Sequence, residues 1–395
     1  MRRTLASRRR PLVALPAVLL AACGSGGGSS GASPTAAATA SATPTATAAA
    51  TVASTATPTP APPALLVWVV GTGGSGGSEV RTVPVGGGSA HVVAALPADA
   101  LVLAAGSGKL AVAFNDHTIH VIDLAGGAVD TYPVAGAPAT VVGGAFSPDG
   151  KRFAFVAATA TPLGGSLQVL DLVTKASTAV RSFPSNTVDV PQRWNGDAMV
   201  GTAIVAFADA GPQALVRLDP VTGARLASSD ITGSGAVAIA PDGVHAAVSK
   251  HNHLGDDGDS PGGPGPAQPF NTLRTASIGA APVDVFQEPH HQVVPLALSA
   301  TGDTICFSDD PAAGAFAGIT QSPAFGLFLR SGTTSTQLAH WDGSRWDRGM
   351  FVGSAVAVAN HTSAAEKLEL VSAGGAPSTL DTVSGGDEPV FLGLA

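Results

Sequence analysis

"FSPDGKRFAFV", residues 146–156, sets an aromatic before a tight Ser147-Pro148-Asp149-Gly150 turn and continues with alternating apolar residues. Those four residue types build reverse turns, and alternation after a turn marks a strand with two unlike faces. The stretch therefore reads as the inside of a β-hairpin. Worn copies return as "GSGKLAVAF", "WNGDAMVGTAIV", "APDGVHAAVS" and "SATGDTICFS". Their turn glycines, Gly108, Gly150, Gly196, Gly243 and Gly302, lie 42, 46, 47 and 59 residues apart, and Asp242 repeats Asp149. A second series, "VIDLAGG", "VLDLVTK" and "RLDPVTG", places Asp123, Asp171 and Asp219 at two intervals of 48, each ending a strand in a turn.

A period in the forties with about four short strands per unit predicts an all-β chain folded as a β-propeller, whose blades cover their faces by stacking on one another. The 49 Gly, 30 Pro and 12% charged residues agree with many strands and turns. The Ser-Pro-Asp-Gly turn resembles the WD40-like repeats of TolB-type propellers, and "LDPVTGARL" resembles the repeats of YncE-type bacterial propellers. The likeness covers about residues 100–310 and implies architecture more than activity, because one fold hosts many functions. The Trp-Asp and Gly-His pairs of eukaryotic WD40 blades are missing from the repeat register.

Residues 64–395 number 332, and insertions near 251–271 and 309–325 occupy about 38 of them. The remainder divides into seven four-stranded blades of 42 residues, with six or eight also compatible with the length. "ALLVWVV", "EVRTVPV" and "AHVVAAL" read as the last three strands of a blade, and the final "DEPVFLGLA" as an innermost strand. Pairing them would close the ring and remove an exposed edge.

The first 22 residues read as an export signal. Arg2, Arg3, Arg8, Arg9 and Arg10 precede the apolar run "PLVALPAVLL", which is short for a bilayer span. Leu20, Ala21, Ala22 and Cys23 then resemble the lipobox of bacterial lipoproteins, which implies lipidation of Cys23 and attachment to a membrane in the cell envelope, outside the cytoplasm. "SRRRPLVAL" also resembles a twin-arginine signal, with Pro11 out of pattern, so the export route stays open. Residues 24–63 are uncharged Gly, Ser, Ala, Thr and Pro with too little apolar bulk for a core. With Cys23 they read as a linker, which as a flexible coil would span roughly 35 Å.

Losing five arginines and no acid takes the formal net charge from −8 to −13. So acidic a chain is not expected to bind nucleic acid, and its membrane attachment should come from acyl chains alone. Cys306 is then the remaining thiol, so no intrachain disulfide supports the fold, which is expected to be a monomeric domain.

Several letter matches to catalytic motifs fail on context. Gly71, Gly73 and Gly76 have dinucleotide-binding spacing, but "SEVRTVPV" follows instead of a helix; "AAGSGKL" lacks the first glycine of a phosphate loop; Ser75 stands in a hairpin turn. No catalytic residue is assigned. One constellation is gathered by the predicted topology. The insertions fall between the second and third strands of consecutive blades; the first carries His251, His253, Asp256, Asp257 and Asp259, and the second opens with Asp309 and Asp310. Glu288, His290 and His291 occupy the connection between those blades, so all ten should meet on one rim. Imidazoles with carboxylates suit zinc, and aspartates alone suit calcium, although neither ligand spacing is standard. The plain alternative is a solvated acidic loop. Trp341 and Trp346 flank a turn and read as packing between blades, with ligand stacking as the alternative. The resulting expectation is a binding or scaffolding module for a protein, peptide or envelope polymer on one propeller face. A metal-assisted hydrolase or lactonase is the alternative.

Overall fold

The computed structural model describes residues 65–394, except 73–75, 87, 135–139, 161–162, 184–186, 206–211, 233, 251–271, 289–290, 312–324, 342–344, 363 and 385–386. The strands follow the repeat. β1 (Leu65–Gly71), β2 (Ser78–Pro84) and β3 (His91–Leu96) come first. Then come β4 (Leu101–Gly106), β5 (Lys109–Ala113), β6 (Thr118–Asp123) and β7 (Val129–Pro133), followed by β8 (Thr140–Phe146), β9 (Arg152–Ala160), β10 (Leu163–Asp171) and β11 (Ala176–Phe183). The next units are β12 (Thr187–Asn195), β13 (Ala198–Val205), β14 (Pro212–Leu218) and β15 (Arg225–Asp230), then β16 (Ser234–Ile239), β17 (His245–Lys250), β18 (Thr272–Ser277) and β19 (Val283–Gln287). The last are β20 (His291–Leu298), β21 (Thr304–Pro311), β22 (Gly326–Ser331) and β23 (Thr334–His340), then β24 (Arg345–Val352), β25 (Ala355–His361), β26 (Ala365–Val371), β27 (Ser378–Ser384) and β28 (Asp387–Leu394).

They form seven four-stranded antiparallel sheets, and the chain is a seven-bladed β-propeller. Blade 1 is β28-β1-β2-β3, blade 2 is β4–β7, and each later blade takes the next four strands through β24–β27 in blade 7. The first strand of each blade, here strand a, stands nearest the axis, where β28 touches β4, β4 touches β8 and β8 touches β12. Antiparallel order sends the a–b and c–d turns to one face, the turn face, and the b–c and d–a connections to the other, the loop face.

Seven buried clusters hold the described residues together, one at each blade junction. The two-residue period of a strand explains them. In β9, Phe153, Phe155 and Ala157 face blade 2, while Ala154, Val156 and Ala158 face blade 4. In β1, Val67 and Val69 face blade 2, and Leu66, Trp68 and Val70 face blade 7. Strands covered on both sides read as continuous apolar runs, and each large side chain removed from water contributes about 1.5–3 kcal/mol.

The ring closes as the sequence predicts: the last strand, β28, pairs with β1 as strand a of blade 1. Asp381 of β27 reinforces the junction by accepting hydrogen bonds from Trp68 Nε1 (3.0 Å), Arg81 Nε (2.6 Å) and Arg81 Nη2 (3.2 Å).

A second repeat is invisible in the residue pattern. All seven a strands break register with their b strands, by one extra residue in most: Leu103, Gly143, Gln192, Leu296 and Asp347 are the extra residues in β4, β8, β12, β20 and β24. A bulge bends and twists the strand that carries it, which suits strands wrapping an axis. Six d strands are bulged as well, always at Val or Leu: Val93, Val180, Leu226, Val285, Leu338 and Leu380.

Candidate functional site

The site begins with one strand, "TICFSDDP". Alternation in β21 turns Ile305 and Phe307 toward blade 5 and Cys306 toward blade 7. The same alternation separates the two neighbouring acids. Asp309 faces the start of β20, where His291 Nδ1 lies 2.7 Å from its Oδ1, and Asp310 faces the start of β24, where it feels the charges of Asp347 and Arg345.

The two acids sit in unlike surroundings. Asp309 is 2% exposed, and burial pushes its carboxyl above the ordinary range, partly opposed by the His291 hydrogen bond. The charge of Glu288 adds to the rise. Asp310 goes further, up to about 7, through burial first and then the charge of Asp309. Its Oδ2 accepts a 3.3 Å hydrogen bond from Ser308, while its buried Oδ1 has no partner among the described residues. An acid held near neutrality can exchange a proton at physiological pH, the property required of a general acid or base. The His291 ring packs 4.5 Å from Phe325, which meets Trp341 edge-on at 6.4 Å.

The structure corrects the placement of three predicted residues. Asp309 and Asp310 do not open the second insertion; they belong to β21, paired with Val293 and Gln292. His291 likewise heads β20 and pairs with Pro311. The polar ends of both strands had read as loop, but the ladder continues through them, with the Asp309 carboxyl beside His291 and the Asp310 carboxyl buried. His291, Asp309 and Asp310 are thus brought together with Glu288 nearby, whereas His251, His253, Asp256, Asp257, Asp259 and His290 lie outside the described residues. Among the described residues, no group of three or more His, Cys, Asp or Glu side chains is arranged to hold a metal ion.

Sequence reasoning missed the continuation of this sector into blade 7. Arg345 Nε lies 2.5 Å from Asp347 Oδ1, His361 pairs with the buried Glu366, and Asn360 donates to Glu369 at 3.0 Å. Polar residues at strand ends, "NH" before "TSAAEKLE", were the available signal. Trp346 is buried at the blade 6–7 junction, and burial pushes the Cys306 thiol up, away from the reactive thiolate.

The repeat residues occupy the opposite face. Gly108, Gly150, Gly196, Gly243 and Gly302 all adopt positive φ in a–b turns, and Gly353 supplies the same turn in blade 7. In the "SPDG" turn, Arg152 N donates to Ser147 Oγ (2.9 Å), and Ser147 Oγ donates to Asp149 Oδ1 (2.6 Å). Asp242 accepts from Val244 N at 2.8 Å in the matching turn of blade 5. Asp123, Asp171 and Asp219 each accept from a backbone N–H two residues on, at 2.8, 2.9 and 2.8 Å. These residues build turns.

No protein-family model matches the chain, and no curated protein does. Solved propeller structures do align with it. The β-propeller domain of the Trilobed protease from Pyrococcus furiosus is 13% identical with a TM-score of 0.46, over 80% of this chain and 83% of that one. Oligogalacturonate lyase in complex with manganese is 14% identical with a TM-score of 0.48, over 78% and 81%. TolB from Acinetobacter baumannii is 16% identical with a TM-score of 0.40, over 83% and 82%. At these identities the likeness is one of fold, and the neighbours of this seven-bladed propeller include TolB and other propeller proteins.

Proposed function

We propose that the protein is a lipid-anchored, extracytoplasmic propeller that acts as a binding or scaffolding module, taking a protein, peptide or envelope polymer on its loop face at blades 5 to 7. One observation carries the reading. The two longest stretches of chain between described strands, 251–271 and 312–325, both join strand b to strand c, in blades 5 and 6, and the buried His291–Asp309 pair lies at strand ends on the same face. Long connections between the strands of a rigid ring are a common way to build a recognition surface. The anchor rests on the resemblance of Leu20, Ala21, Ala22 and Cys23 to a lipobox.

A metal-assisted hydrolase or lactonase is the second reading, favoured by the Asp310 carboxyl held at about 7. The predicted rim residues would hold calcium or zinc in that case, and the ion would supply Lewis acidity. The test uses the full chain in solubilised cell envelope, with and without a chelator, beside a variant whose residues 251–271 are replaced by a short Gly-Ser link. A partner held by the wild type and lost by the variant, with the chelator without effect, supports the binding module. Equal retention by both rejects the loop face. A stoichiometric metal ion, lost on chelation together with hydrolytic activity, moves the assignment to the enzyme. In the same cells Cys23→Ala should move the protein from the membrane to the soluble fraction, and unchanged retention would refute the anchor.

A further inference from the structure

At its turn-face end the central channel holds a cavity of about 290 Å³, walled by the a strands of blades 1, 2, 3, 4 and 7. Its accessible wall is more polar than apolar; Phe146, Trp194, Met350 and Phe391 are among the lining residues, beside the neighbouring polar pair Gln192 and Arg193. At this level the other a strands offer Ala104, Ala145 and Gly349, so blade 4 alone among the lining strands brings a cation to the cavity.

Arg193 has no hydrogen bond or ion pair among the described residues. Protein surrounds most of its length while its edge stays open to the cavity, so water shields it poorly, and burial lowers its proton affinity from the ordinary arginine value. A guanidinium nonetheless stays charged. The acid whose charge reaches it is Asp242, but that carboxylate is already engaged by the His245 ring (2.6 Å) and by the Val244 and His245 N–H groups (2.8 and 3.0 Å). Arg152 of β9, outside the lining, stacks 4.7 Å over the Trp194 ring, and the buried Trp194 Nε1 has no acceptor among the described residues. Among the lining residues Arg193 is thus the one charged side chain. A poorly hydrated cation without a counter-ion is costly, and a bound anion removes the cost.

We propose that this end of the channel is a binding site for a small monocarboxylate, anchored by Arg193. A carboxylate matches the fork of a single guanidinium with two parallel hydrogen bonds, and the partly exposed Met350 and Phe391 side chains offer apolar contact to the body of the ligand. A phosphate dianion fits less well, because Arg193, the one charged side chain of the wall, leaves its second charge uncompensated. The volume sits near the lower end of the roughly 300–1,000 Å³ range of small-molecule sites, which sets the ligand size at about one aromatic ring with a short acid arm.

The experiment titrates the full chain with phenylacetate, phenylacetamide and inorganic phosphate by calorimetry. Phenylacetate should bind saturably at one site, with the amide and phosphate at least tenfold weaker. Arg193→Gln should weaken phenylacetate at least tenfold without changing the amide, and Arg193→Lys should restore part of the difference. Equal binding of acid and amide, phosphate binding as tight as phenylacetate, or no saturable binding by the wild type overturns the proposal. The melting temperature of ligand-free Arg193→Gln is an independent check. It should equal or exceed that of the wild type, because the lost cation had no partner; a fall of several degrees would mean that the chain already neutralises Arg193.

Discussion

The two faces of the ring obey different rules. On the turn face, six a–b turns each place a glycine at positive φ, and three c–d turns place an aspartate that caps backbone N–H groups. On the loop face the polar contacts are placed differently from blade to blade: blade 6 buries Asp309 of strand b against His291 of strand a, and blade 7 buries Glu366 of strand c against His361 of strand b. The turn face repeats because every blade must reverse its chain under the same steric limits. On the loop face the chain also reverses between strands b and c, but over connections that run from two residues in blade 3 to 21 in blade 5, so no common turn is imposed there and its residues can be unlike, buried and titratable. Architecture lives in the repetition and chemical individuality in the departures from it.

The largest expected effect breaks the turn face where two blades touch. Gly302 has φ +73°, and a Cβ there would stand 2.3 Å from His245 Cβ and 2.5 Å from His245 Cγ, on the preceding blade. Gly302→Ala combines left-handed strain with a clash against a side chain that is itself tied to Asp242, and should cost about 3 kcal/mol or more. Gly196 adopts φ +55° in the same turn of blade 4, but an added Cβ meets nothing within 4 Å. Gly196→Ala should cost only the strain, about 1–2 kcal/mol. Denaturant unfolding of both variants checks the pair. Equal losses would mean that contact between neighbouring turns plays no part in why glycine stands at Gly302.

A smaller effect, of opposite sign, belongs to the loop face. Asp310 is held at about 7 against an ordinary 3.8, so the folded protein keeps a proton that the unfolded chain releases. Its contribution to stability is complete below the unfolded value and is lost as the pH rises through the folded one. Asp310→Asn keeps the shape and cannot ionise. Its melting temperature should exceed that of the wild type at about pH 8, with the gap closing toward about pH 4. Asp309 is raised as well and leaves the variant a residual slope of the same sign. Parallel curves across the window would show that Asp310 stays solvated and is no proton-exchanging group.

This contrast also explains what could be read in the residues. The turn glycines and Asp123, Asp171 and Asp219 were legible because turn chemistry is local: a few residues determine the φ angles and the hydrogen bonds. The closing strand was legible because "DEPVFLGLA" and "ALLVWVV" are both strand-like and each would leave an edge alone. The bulges were not. An extra residue at Gln192 or Asp347 breaks the two-residue period it would have to be read from. Both concern the sites. Asp347 raises Asp310 through its charge, and Gln192 stands beside Arg193 in the channel wall. Asp309 and Asp310 were found but given to a loop, since nothing local reveals that a carboxylate at a strand end is buried. Arg193 was missed outright, because which inner-strand residues line the axis depends on the register that the bulges set.

The smallest expected effect applies one substitution to both faces. Asp219 Oδ1 accepts from Val221 N and Thr222 N, each at 2.8 Å, and these bonds pull its carboxyl below the ordinary range. The sign is therefore opposite to that of Asp310: the contribution is present above the unfolded value and is lost as the pH falls through the folded one. Asn at this position keeps an oxygen to accept both bonds and loses only the charge, which solvent screens at an exposed turn. Asp219→Asn should lower the melting temperature slightly at about pH 7, with the difference shrinking as the pH falls below the ordinary carboxyl value of 3.8, whereas Asp310→Asn raises it at the higher pH. If both variants shift in the same direction at neutral pH, the division between a turn face that uses aspartate as an acceptor and a loop face that buries it as an acid does not hold.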